Sequence, residues 1–117
     1  MANLYGKEVE LVTLIADTIK SQSPTWTTLG RNEIYGYDCE VEVNNKVYLI
    51  TVFHDQMIID KKNPRARMYT FKQDPCNVDD ISLAINEIRN IAIINVKKAR
   101  AKEKEAFVEE LLADFKA

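Results

Sequence analysis

Glycine and proline are scarce in this chain, three of each, and neither occurs after Pro75. Nothing beyond that point interrupts a helix, so residues 77–117 read as one continuous helical stretch. Cysteine is scarcer still. Cys39 and Cys76 are too few for a disulfide framework and show no metal-ligand spacing, so they read as reduced, half-buried thiols. His54 is the single histidine, which excludes any triad or metal cluster that needs a second imidazole. Gly6, Gly30 and Gly36 are isolated from one another, so no glycine-rich loop can cradle a phosphate, and no nucleotide cofactor or metal is expected. No apolar run approaches the ~20 residues that cross a membrane, so no membrane partner is expected. Positive charge is not in excess. With a net charge of −2 and a pI near 5.4, bulk attraction to nucleic acid is absent, and such binding would need a local patch.

What is present describes a folded domain. At 117 residues the chain is long enough for one sizeable core, and 46% hydrophobic with 29% charged residues is ordinary for a soluble globular protein. The N-terminal MANLYGKEVE carries acid where a signal peptide needs a basic start and an apolar stretch, so a cytoplasmic location is expected.

Leu4, Tyr5, Val12, Ile15, Ala16 and Ile19 recur at helical spacing, with Asn3 as a cap and Ser23-Pro24 as a stop. Glu8 falls on the apolar side, where its charge suits the positive end of a helix dipole. The middle is strand-like. Trp26 to Leu29 is a short candidate strand, and Ile34 to Val43 alternates, with Tyr35, Tyr37, Cys39, Val41 and Val43 on one face. Asn44-Asn45 suits a two-residue turn because Asn tolerates the left-handed region. That turn sets a register with Lys46 to His54: Val41 opposite Tyr48, Cys39 opposite Ile50, Tyr37 opposite Val52, all on one apolar face. A second hairpin is expected to join Gln56–Asp60 to Ala66–Phe71 through Lys61-Lys62-Asn63-Pro64-Arg65. Asn77, with Asp80 three residues on, reads as the cap of the last helix. Within that helix Ile91 to Val96 is apolar nearly all round and reads as helix or as a buried strand. The expected fold class is α+β: an N-terminal helix, three to five antiparallel strands, then a long C-terminal helix, bent or broken near residues 97–105.

The acidic strip Asp38, Glu40 and Glu42 could in principle hold a divalent cation. The order of helix, strand with Asp38, then the strand Val47 to Phe53 faintly resembles a PD-(D/E)xK nuclease core over residues 7–54. That resemblance implies a Glu and a Lys on the second strand, where this chain has Thr51 and Phe53, so metal-dependent cleavage is unsupported and a solvated strand face is expected. His54 beside Asp55 could do acid–base work, but no Ser or Cys is tied to it by a motif.

Two basic patches are candidate nucleic-acid contacts: Lys61, Lys62, Arg65 and Arg67 in the loop, and Lys97, Lys98, Arg100, Lys102 and Lys104 on the helix. Glu103, Glu105, Glu109 and Glu110 follow at once and would repel a phosphate backbone, so a solvated helix face is the favoured reading.

The strongest signal is the C-terminal stretch. Ile81, Ala84, Ile85, Ile88 and Ala92 fall on one helical face, whereas Phe107, Val108, Leu111, Leu112 and Phe115 fall nearly opposite. A helix from 77 to 117 would be ~60 Å long, while a compact domain of this size is roughly 35 Å across. It has to overhang or fold back. Residues 1–96 are therefore read as a compact domain and 97–117 as a helical extension of it, with Phe107, Val108, Leu111, Leu112 and Phe115 as the partner or dimer interface. The leading functional reading is a non-enzymatic protein-interaction module, a regulator or inhibitor of a macromolecular partner, acting as a homodimer or on another protein. Small, motif-poor acidic domains suit accessory or antagonist roles such as those of phage or mobile elements. Nucleic-acid binding through the two basic patches is the alternative, and a degenerate nuclease-like domain comes third.

Overall fold

The computed structural model describes residues 4–29, 36–62, 68–73 and 79–117. Its element order is helix, five strands, helix, the α+β layout expected from the sequence. Helix α1 runs from Leu4 to Gln22 and buries Val12, Ile15, Ala16 and Ile19. Leu4 and Tyr5, read as part of the same stripe, are instead exposed. Ser23 ends α1 with a left-handed φ of 47° and an N–H that donates to the Ile19 carbonyl at 2.9 Å. Asn3 lies outside the described residues.

The strands β1 (Thr27–Thr28), β2 (Tyr37–Val43), β3 (Lys46–Val52), β4 (Gln56–Lys61) and β5 (Met68–Lys72) form one antiparallel meander in chain order. Asn44 and Asn45 take φ values of 53° and 63°, the left-handed pair that a tight hairpin turn needs. The register follows: Val41 pairs with Tyr48, Cys39 with Ile50 and Tyr37 with Val52. The second hairpin pairs Met57 with Phe71 and Ile59 with Tyr69, and the Ala66 end of the expected strand lies outside the described residues. Gly36 sits at φ 142°, where a Cβ would come within 2.8 Å of the Val52 carbonyl oxygen. Only glycine fits there, and its own carbonyl accepts from the Leu29 N–H at the β1 edge.

Helix α2 spans Asp80–Lys116 without interruption, 37 residues. A break near 97–105 does not form. Ala, Lys, Arg and Glu fill that stretch, all good helix formers, and a helix already nucleated by packing has only to propagate. Residues 91–96 are helix, not strand, since Ala92 and Val96 extend the buried row of Ile81, Ile85 and Ile88 at three- and four-residue steps. The cap is Asp79 rather than Asn77, which lies outside the described residues. The Asp79 carboxylate accepts from the Ser82 N–H at 2.8 Å, and that bond holds its pKa below the usual value.

Both helices lie on one face of the sheet and share its core, in which Ile19, Ile50, Met57, Phe71, Ile85 and Ile88 are fully buried. Lys20 and Glu87 form an ion pair between the helices. The molecule measures 73 × 36 × 24 Å with a radius of gyration of 17.5 Å, against ~13 Å for a compact chain of this length. The excess is α2 running on past the sheet. Among the described residues no helix is long and apolar enough to cross a membrane.

Candidate functional site

Val96 is the last buried residue of the chain; every residue from 97 to 117 is exposed. The arm so formed carries Phe107, Val108, Leu111, Leu112 and Phe115 with nothing against them, Phe107 at 60% and Phe115 at 85% exposure. Ser82 and Val96 extend the buried face of α2, and at 100° per residue the arm's stripe is turned from that face by roughly 120°. A straight helix laid on the sheet through Ile85 and Ile88 therefore points the second stripe away from its own core. The charges on the arm are in blocks. Lys97, Lys98, Arg100, Lys102 and Lys104 form a basic neck; Glu105 and Asp114 flank the apolar stripe, and Glu109 and Glu110 fall on the opposite side of the arm.

Sequence reasoning missed a second apolar surface. Helix α1 crosses the sheet obliquely and is tied at both ends. Near its start the Tyr69 hydroxyl donates to Glu8 Oε2 at 2.7 Å, which raises the Tyr69 pKa. At its end the Gln22 side chain pairs with the backbone of Glu42, accepting from its N–H at 3.0 Å and donating to its carbonyl at 2.6 Å. The α1 flank turned from α2 carries Leu11, Leu14 and Thr18, and it stands over the turn end of the sheet, where Val43, Tyr48, Ile59 and Tyr69 are only partly covered. Between them lies an open groove of about 420 Å³ with an apolar lining and Lys61 in its wall. Its sequence signal is the i, i+3, i+7 row Leu11, Leu14, Thr18 on α1, beside the row that faces the core.

The basic candidates are divided among different surroundings. Lys61 faces the groove, Lys62 pairs with Glu40 on the open sheet face, and Lys97 to Lys104 project from the arm. Arg65 and Arg67 lie outside the described residues. On the acidic strip, Asp38 accepts from the Thr27 hydroxyl and Glu40 is held by Lys62. Among the described residues no group of three or more His, Cys, Asp and Glu side chains could hold a metal ion.

His54 and Asp55 are exposed in the turn between β3 and β4, where the Asp55 carbonyl accepts from the Gln73 N–H. Arg89 nearby donates through Nη2 to Gln73 Oε1 and Asn86 Oδ1 at 2.8 and 2.9 Å, fastening α2 to the end of β5. Burial lowers its pKa, partly offset by the Asp55 charge. Cys39 is buried beneath the helices. Desolvation, with Asp38 and Glu40 adding their charge, pushes its thiol up to about 12, which makes it a poor nucleophile. These polar groups tie elements of the fold together. Compared with known proteins, the chain matches no family model, no curated protein and no solved structure.

Proposed function

We propose that the chain is a non-enzymatic protein-interaction module, a regulator or inhibitor of a macromolecular partner, whose contact is the arm at 97–117. One observation carries this reading: α2 continues past Val96, its last buried residue, and presents a second apolar stripe to solvent. Each large apolar side chain of that stripe stabilises a complex by about 1.5–3 kcal/mol if fully buried. A patch of this kind on an otherwise well-packed domain marks an interaction site. The order of the anchors supports it too: Val108, Leu111, Leu112 and Phe115 stand at i, i+3, i+4 and i+7, the spacing by which a helix fills a groove on a partner.

Exchanging Phe107→Ser together with Leu111→Ser tests the reading. Self-association or partner binding should be abolished while far-UV circular dichroism and the unfolding midpoint of the domain stay put. A double variant that associates as the parent does would remove the arm from the interface. Nucleic-acid binding through the basic neck is separable from this: it would appear as a salt-dependent titration with short DNA at low ionic strength, unaffected by the two serines.

A further inference from the structure

We propose that the groove between α1 and the turn end of the sheet is the docking site for the arm of a second copy of this chain, so that two copies exchange arms reciprocally. This rests on the interaction reading above and names its partner. Two unpartnered apolar surfaces lie on one molecule, and they cannot meet within it. The stripe begins roughly 16 Å past Val96 along an unbroken helix, with no glycine or proline to turn it back, while the groove lies on the flank of α1 turned from α2.

Charge favours the groove as the seat of a second copy's arm. Glu105 and Asp114 flank the stripe, and the sheet wall of the groove carries cations. Lys61 stands in its wall opposite Tyr48, and Lys46, paired with Val43, shares the same sheet face at the turn end. An arm seated with Leu111 and Phe115 among Leu14, Val43 and Tyr48 sets its flanking carboxylates beside those lysines. The contact is made twice about a two-fold axis and closes the dimer, leaving no open end for further growth.

Complementation between two variants of the full chain tests this. Leu14→Glu spoils the groove at a position already 55% exposed, and Leu111→Glu spoils the arm; Val43→Glu, on the opposite groove wall, repeats the first on a different element. Sedimentation equilibrium of the parent chain should show a dimer. Each variant alone should weaken dimerisation at least about 30-fold, the size of a 2 kcal/mol hot spot. An equimolar mixture of Leu14→Glu and Leu111→Glu should recover a heterodimer, because it keeps one intact arm and one intact groove facing each other. A parent chain that stays monomeric overturns the exchange. So does dimerisation of both groove variants at parental strength, and so does a mixture without recovery. Parental dimerisation of both groove variants with loss in Leu111→Glu sinks the groove alone and leaves the arm as an interaction surface. Parental dimerisation in Leu111→Glu as well sinks both.

Discussion

The two halves of α2 are made of similar material and have opposite surroundings. From Asp80 to Val96 the helix lies on the sheet, and Ile85, Ile88 and Ala92 are wholly buried. From Lys97 onward every residue of the same helix is exposed. The docked half is held by packing and tolerates middling helix formers such as Ile, Asn and Val. The arm has only propensity and nucleation from the docked half to hold it. Its charges cut both ways: Lys98 and Lys102, Arg100 and Lys104, Glu105 and Glu109, and Glu110 and Asp114 are like-charged pairs at i, i+4, while Arg100 and Glu103, and Lys102 and Glu105, are opposite pairs at i, i+3. Helical order in such a segment gains most from a partner that buries the stripe and answers the charge.

The sharpest way to break this comparison is to truncate a side chain in each half. Ile88→Ala, in the docked half, should cost about 2–5 kcal/mol in urea unfolding. Leu112→Ala, in the arm, should change the stability of the undimerised domain by less than about 0.5 kcal/mol. Equal losses would mean that the arm packs on its own domain. Next in size is Gly36→Ala, which forces a Cβ against the Val52 carbonyl at a φ of 142° and should destabilise by about 1–3 kcal/mol. That variant tests whether the sheet beneath the docked half depends on this close approach.

Much of this was legible beforehand, and for identifiable reasons. The β2–β3 register could be read because Asn44-Asn45 permits one turn and alternation puts Tyr37, Cys39 and Val41 on a single face. The overhang could be read because helix length exceeds domain width. Other features depended on tertiary placement. The Asp79 cap shows itself only in the bond its carboxylate accepts from the Ser82 N–H. Glu8 was read as a partner of the helix dipole, and its bond to Tyr69 exists only because α1 crosses β5. The groove was hidden for the same reason: the Leu11–Leu14 row becomes a wall only when α1 lies obliquely over strands it does not fully cover.

Smaller effects sharpen the contrast. Asp79→Ala should cost about 1 kcal/mol through the lost cap. Because the folded carboxylate has the lower pKa, its contribution is present above the ordinary carboxylate range and disappears as pH falls through the folded value. Asp79→Asn should flatten that part of the acid limb of stability against pH, and an unchanged slope would count against the cap. Smallest in energy but simplest to read is Cys39. Its buried thiol, pushed up to about 12, should resist alkylation at pH 8 until the domain opens. Removal of residues 105–117 should leave that rate unchanged, whereas Ile88→Ala should speed it.

The claim that the arm is an interaction surface is tested most directly by molar mass in solution, measured at equal concentrations for the full chain and for a chain ending at Lys104. The full chain should have twice its 13.5 kDa, and the shortened chain should be a folded monomer. Equal association states for the two would contradict the claim.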